Sequence, residues 1–389
     1  MPMKNLTTHT FYSPNKIILG MNTTSIVPEE IKKLGGGRLL LVTDPGVVQA
    51  GLISPVEESL KTKNLDYVLY DAVEPEPPAR VIDRGAEIFK SEKCGIILGL
   101  GGGSSLDVAK GISLLATNGG RILDYCGVDL VPKKGAPFLL MPTTAGTGSE
   151  ATRVLVLTDE EQNVKNVVFT PHALADTAIV DPALTLSMPP NVTADTGMDA
   201  MVHAIETYVS MNATVFSDIL AERAIELIAR YLPMAWAKGA NSEARYQMSV
   251  AATIAGLAFG SGGLGAVHAL AYPLGTEYHM THGRTNAIML PHVMQYNTSG
   301  SPTKYARIAQ LMGQNIEGCS LIETAGMAVA AIKELLDAVN VSYHIADYGV
   351  AKEDLPKLVE GGIKQARLFV PNPRDLVEKD VKSIYEEAF

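Results

Sequence analysis

Two hydrophobic periods divide the chain. In its first half, short runs rich in aliphatic and β-branched residues recur at 38–44 (RLLLVTD), 66–71 (DYVLYD), 94–103 (CGIILGLGGG) and 137–144 (PFLLMPTT). Runs of this length bounded by Gly, Asp or Pro read as strands, while the stretches at 46–63, 79–92 and 104–117 carry helical spacing. Strands separated by helices of that length predict a parallel sheet built from right-handed crossovers, an architecture of the nucleotide-binding type. After residues 178–190 (AIVDPALTLSMPP) the strand-like runs cease, and Ala-, Leu- and Met-rich segments at 191–210, 214–232, 242–259 and 320–339 predict helices. The tandem Pro189-Pro190 continues neither kind of element and marks the expected boundary. The pattern thus predicts an α/β domain with a parallel sheet over 1–188 and an all-helical domain over 189–389.

A length of 389 residues exceeds what one hydrophobic core usually fills, in keeping with two domains around one cleft. Apolar runs are broken by Gly, Pro or charge well before the roughly 18 residues a membrane span requires, so no membrane partner is expected. With 32 basic against 42 acidic residues the formal charge is -10, and no Lys/Arg-rich stripe stands ready to neutralise a row of phosphates. No nucleic-acid partner is therefore expected. The first twenty residues carry no charged start, apolar stretch and small-residue cleavage site in succession, and a cytoplasmic location is expected. Cys94, Cys126 and Cys319, odd in number and far apart, suit a reducing compartment and offer neither a disulfide framework nor a CxxC zinc pair.

Two loops are candidates for a nucleotide. Residues 99–107 (GLGGGSSLD) place glycines after a strand and before a helix, where backbone N–H groups and a helix N-terminus can hold a phosphate. The run departs from GxGxxG because Ser104 stands at the final glycine, and a tight strand-to-helix turn explains it equally well. A second polar loop, 142–150 (PTTAGTGSE), follows the next strand and offers the hydroxyls of Thr143, Thr144, Thr147 and Ser149, which also suit caps and turns. Two such loops at strand C-termini are what an open α/β sheet uses to hold a ligand. Asp44, ending the first of these runs, can accept from an adenosine ribose and repel a 2′-phosphate, favouring NAD over NADP, or can cap the helix that starts at Pro45.

The helical half carries candidate metal ligands. Asp199 and His203, four residues apart in GMDAMVHAIE, leave one face of a helix. Half of the eight histidines, His268, His279, His282 and His292, fall within residues 263–293. A carboxylate with imidazoles suits Fe(II) or Zn(II), but spacing does not say which histidines bind.

Taken in order, VTD, GGGSSLDVAK, PTTAGTGSE, TADTGMDAMVHAIE, GLGAVHALAYPLG and HGRTNAIMLPHV resemble the iron-containing (group III) alcohol dehydrogenases over nearly the whole chain. The resemblance implies a metal, Fe(II) or alternatively Zn(II), held by Asp199, His203, His268 and His282. It also implies a Rossmann-like NAD domain in which Gly101, Gly102, Gly103 and Ser104 take the pyrophosphate, with Asp107 near the nicotinamide. Thr143, Thr144 and Thr147 match the second cofactor loop, and Asp44 the position that separates NAD from NADP. Val154, Phe259 and Leu264 fall near the substrate, implying an apolar pocket for a small alcohol or aldehyde, and the assembly is commonly a dimer. Arg153 is expected in a structural salt bridge. Two positions depart from the family pattern: Tyr272 stands where many members have a second histidine, and Glu76 lies in the EPEPP run at 74–78, where its carboxylate is expected to disfavour a 2′-phosphate or simply to be solvated.

The expected reaction is reversible hydride transfer between alcohol and NAD, with the metal polarising the substrate oxygen. Candidates for the proton relay are Tyr272, His279 and the cofactor ribose. The nearest rival is a hydroxyacid-oxoacid transhydrogenase that keeps NAD bound. More distant rivals are a lyase of the dehydroquinate synthase kind, for which no cationic phosphate pocket is evident, and a binding module with a dead site, which the four ligands argue against.

Overall fold

The computed structural model describes residues 8–389 apart from Asn163. Its strands are β1 (Ile17–Leu19), β2 (Leu39–Val42), β3 (Tyr67–Tyr70), β4 (Ile96–Gly101), β5 (Gly127–Val128), β6 (Phe138–Pro142), β7 (Val154–Asp159), β8 (Val164–Phe169) and β9 (Thr177–Val180). Six of them form one sheet in the order β1-β9-β6-β4-β2-β3, with every pair parallel. The chain reverses its direction of sheet growth between β2 and β4. At such a switch point the loops leaving neighbouring strands diverge and open a crevice.

Helices α1 (Val27–Lys33), α2 (Pro45–Gln49), α3 (Ser54–Thr62), α4 (Ala79–Ser91) and α5 (Gly103–Asn118) cover the sheet. Alternation along β2 sends Leu40 and Val42 into one core with Ile82 and Ile112, and Leu39 and Leu41 into another with Ile31 and Leu60. Both faces are buried, which is why the strands read as continuous apolar runs rather than alternating ones. The single helix expected over 46–63 is two, because Gly51 takes a left-handed φ of 70° and α3 restarts with a proline in its first turn.

The expected strands are present as β2, β3, β4 and β6. Sequence reading passed over β1, β5, β9 and the antiparallel pair β7–β8, which with β5 makes a separate three-stranded sheet.

From Pro190 onward the described residues hold no strand. The helices are α6 (Pro190–Val209), α7 (Val215–Ala237), α8 (Ser242–Gly262), α9 (Ala266–Tyr278), α10 (His282–Asn297), α11 (Pro302–Leu311), α12 (Leu321–Ala338), α13 (Leu355–Ile363) and α14 (Glu378–Ala388). Pro190 opens α6, where its fixed φ and missing N–H cost nothing. The buried Arg245 of α8 fixes that entry by donating to the Met188 carbonyl and the Thr193 hydroxyl. Among the described residues no single helix is long and apolar enough to cross a membrane; α8 and α9 meet that measure only as a pair bent by 110°.

Candidate functional site

The bend between α8 and α9 builds one wall of the site. Gly263, at φ 77°, ends α8, and Gly265 precedes α9 where an added Cβ would stand 3.1 Å from Glu206 Oε1. His268 therefore emerges from the first turn of α9 against α6. On α6, Asp199, His203 and Glu206 lie at helical spacing on one face, and all three are buried. The third helix, α10, begins at His282; Gly283 lets it press on the backbone of Asp195, since an added Cβ there would lie 2.4 Å from the Asp195 carbonyl oxygen. Arg284 and Thr281 bind the two carboxylate oxygens of Asp195 at 2.6 and 2.8 Å, so the start of α10 is clamped to α6.

Three helices thereby bring four side chains together. Asp199, His268 and His282 present ligand atoms all within 4.8 Å of one another. His203 adjoins them, with Nε2 4.0 Å from Asp199 Oδ1 and its ring stacked on His268 at 5.1 Å. His282 Nε2 is 3.8 Å from the same oxygen. A tetrahedral site with bonds of about 2.0–2.2 Å separates its ligands by roughly 3.4 Å, so small rotations complete the set.

The electrostatics suit a cation. Burial is the largest influence on His203 and His282 and lowers both, keeping the imidazoles neutral with lone pairs free. Burial also works to raise Asp199, but the surrounding imidazoles and Asn286 outweigh it and the carboxylate stays ionised. Glu206 accepts from His268 Nδ1 at 2.6 Å and from the Val267 N–H at 2.6 Å, leaving His268 Nε2 as the free donor atom. A carboxylate behind an imidazole in this way is a usual partner of a metal-bound histidine. The donor set therefore fits a divalent metal.

His279 and His292 are not in this group. His279 is exposed at the C-terminus of α9 in a left-handed conformation, and the structure shows no bond from it to the ligand atoms. His292 is buried on α10, with Nε2 2.7 Å from the Tyr343 carbonyl oxygen. Burial pushes its pKa down from 6.5 to about 4, so the folded state favours the neutral ring. The stability this contributes is complete above pH 6.5 and is lost as pH falls through 4, about 3 kcal/mol in all. Urea unfolding of His292→Gln, whose amide reaches the position of Nε2 and keeps a donor for Tyr343 but does not titrate, is expected to show a correspondingly flatter loss over that window. Parallel pH dependences would assign the titration elsewhere.

Phe259 stacks on His203 at 4.9 Å and Tyr272 on His282 at 5.9 Å, so aromatic rings flank the ligands on two sides. Burial raises the Tyr272 phenol and keeps it protonated. Leu264 lies half-buried in the α8–α9 bend, and Val154, also half-buried, opens β7. Lys165 of β8 reaches over the Tyr272 ring at 5.1 Å and binds Glu76 at 2.6 Å. Glu76 is thus ion-paired while remaining solvent-exposed, and its charge is partly countered. The salt bridge expected of Arg153 is absent among the described residues: its guanidinium lies between the rings of Tyr12 and Phe169, at 4.3 and 4.1 Å.

The second half of the site lies at the switch point of the sheet. Gly101, at φ 153°, approaches Ser105 so closely that an added Cβ would lie 2.5 Å from its hydroxyl. A Cβ on Gly103 would meet Thr147 at 2.8 Å, Gly102 lies beside Thr144, and the Thr143 N–H bonds the Gly101 carbonyl, so the two loops interlock. Ser104 is half-buried in the first turn of α5, a 16-residue helix whose start has no side-chain cap, leaving N–H groups for an anion. This cradle fits a pyrophosphate. Asp44 does cap α2, accepting from the Val47 N–H at 3.0 Å, and accepts from the Ser105 hydroxyl at 2.9 Å.

Asp107 is turned inward. Its oxygens accept from Ser149, from the Val156 N–H and from Lys110, a lysine with no exposed surface that also donates to Ser149, Thr152 and the Val154 carbonyl. One buried pair therefore ties the glycine loop's helix to the second loop and to β7. Sequence reading missed Lys110, Glu206, Asn286 and Lys165. Glu206 and Asn286 were traceable, each lying one turn beyond an assigned ligand on the same helix.

Two models of one family match: iron-containing alcohol dehydrogenase over residues 14–182, and the C-terminal region of the Fe-containing alcohol dehydrogenase family over 193–389. The chain is 41% identical over 378 residues to the 1,3-propanediol dehydrogenase of Citrobacter freundii, covering 97% of each. It is 37% identical over 378 residues to the NAD-dependent methanol dehydrogenase of Bacillus methanolicus, covering 97% of this chain and 99% of that one. The crystal structure of a 1,3-propanediol oxidoreductase superposes with a TM-score of 0.96 at 40% identity, over 98% of this chain and 100% of that one.

Proposed function

The chain belongs to the iron-containing alcohol dehydrogenase family, and on that footing we propose that it moves hydride between a small alcohol or aldehyde and NAD at one divalent metal ion. The observation that carries this reading is the convergence of Asp199, His203, His268 and His282 from three helices, with Glu206 setting the tautomer of His268. Fe(II) agrees with the family, and Zn(II) suits the same donors. When bound, the metal supplies a Lewis acid that makes a hydroxyl easier to deprotonate, and NAD supplies the hydride acceptor.

The chain's own residues do the rest. Gly101, Gly102, Gly103 and Ser104 with the start of α5 hold the pyrophosphate; Thr143, Thr144 and Thr147 close over it. Asp44 keeps lone pairs for a ribose beyond the two bonds it already accepts, since a carboxylate offers about four such sites. Phe259 and Tyr272 exclude water beside the ligands, and with Val154 and Leu264 favour an apolar substrate. Tyr272, protonated and stacked on His282, is better placed than the exposed His279 to donate its phenol proton to the substrate oxygen when an aldehyde is reduced, regaining one from solvent afterwards. Relatives named for a diol and for methanol support the small-alcohol class.

The test is a screen of primary alcohols, diols and ω-hydroxy acids with free NAD and added Fe(II) or Zn(II). Metal-dependent reduction of free NAD is the expected result. Hydride exchange between two substrates without turnover of free NAD would instead identify a transhydrogenase.

A further inference from the structure

Asn286 is the side chain closest to the ligand atoms that neither the motifs nor the reaction accounts for. It stands on α10 four residues after His282, on the same helix face, and has no exposed surface. Its Nδ2 lies 2.8 Å from Asp199 Oδ1 and 3.2 Å from Nε2 of both His268 and His282. Its Oδ1 is buried without a hydrogen-bond partner.

The chemistry of these atoms ranks the contacts. An imidazole nitrogen has one lone pair, and giving it to a metal ends its role as an acceptor. A carboxylate oxygen has two, so Asp199 Oδ1 can accept from Asn286 and still offer a pair to an ion shared with the imidazoles. The amide orientation is fixed by the same reasoning: turned over, it would set its oxygen against the ionised carboxylate. An apolar side chain of this size would bury no unpaired oxygen, and leaving a buried acceptor unmade costs free energy. The amide is explained by the bond it gives.

We propose that Asn286 is a positioning residue of the metal site, whose N–H aims Asp199 at the ion and ties a ligand on α6 to the helix that carries His282. The role is distinct from that of Glu206, which orients an imidazole from behind; Asn286 orients the carboxylate from the ligand side. The inference rests on the metal site proposed above, and the experiment separates the two.

Zn(II) and Co(II) affinities are measured by chelator competition on the unmutated protein and on Asn286→Leu, which keeps the volume and removes the donor. A loss of about 10- to 100-fold in affinity is expected, with a shifted Co(II) visible spectrum and unchanged affinity for NAD. Uptake of neither ion by the unmutated protein would overturn the metal site itself. Equal affinities and identical Co(II) spectra in the two proteins would overturn the role of Asn286 alone. If the leucine variant does not fold, Asn286→Ala takes its place in the same titration. Its Co(II) spectrum and NAD affinity are read against the same two outcomes, because a cavity alone lowers the melting temperature without re-aiming a carboxylate.

Discussion

His268→Ala is expected to lose bound metal and turnover together, the latter by at least about a thousandfold. Among the ligands, His268 alone has its second nitrogen held by a carboxylate, so its free nitrogen is fixed in direction before any ion arrives. Alanine removes a donor from a cluster that has no spare imidazole nearby, because His279 is exposed and His292 is committed to Tyr343. It also strands Glu206, which keeps only the Val267 N–H while remaining buried. Lewis-acid assistance is worth several kcal/mol, and each 1.36 kcal/mol is about a factor of ten in rate. Metal content after dialysis, measured beside turnover on the best substrate of the screen, checks this. Full turnover by metal-free variant protein would contradict the proposed chemistry.

The second large effect is expected on the nucleotide side of the site. Lys110→Met removes a fully buried cation and leaves Asp107 with the Ser149 hydroxyl and the Val156 N–H but no counter-charge. Breaking one side of such a pair typically costs about 3–5 kcal/mol, most of it from the uncompensated charge left inside. Because Lys110 also holds Ser149 of the second loop, and Thr152 and the Val154 carbonyl just after it, that loop is expected to loosen and NAD affinity to fall. Metal content, set by α6, α9 and α10, is expected to stay unchanged. Urea denaturation and NAD titration of the variant read the two effects separately. Adding Asp107→Leu is expected to recover part of the stability and none of the affinity.

The parallel core of the sheet was legible because both faces are covered, turning β2, β4 and β6 into buried runs bounded by turn residues, and the edge strand β3 kept the same aliphatic and aromatic composition. β1, three residues long, is too short to show a period, and β9 (TAIV) carries only two large aliphatic residues; their place is set by pairing with each other and with β6. The β7–β8 pair did leave a signal. Leu155 and Leu157 face inward between half-exposed neighbours, and the polar residues 159–163 separate two β-branched runs. At the site, spacing alone yielded one helix-face pair and a histidine cluster, and resemblance chose among the histidines. What neither supplied was the network behind the ligands. Glu206 and Asn286 share a helix face with an assigned ligand and Lys110 shares one with none, but the role of each is set by a partner distant in sequence, such as Ser149, His268 or Asp199.

The placement of Asp199, His203 and Glu206 along a single helix also bears on how such a chain can change length. Each inserted residue rotates everything beyond it by about 100°, so one insertion between Asp199 and Glu206 would carry part of the set off the shared face. The same holds between His282 and Asn286. The turns after α7 and α11 lie outside this constraint and run through largely exposed positions. Insertions and deletions compatible with the chemistry are therefore confined to such turns, while α6 and the opening of α10 keep a fixed count of residues whatever substitutions they accept.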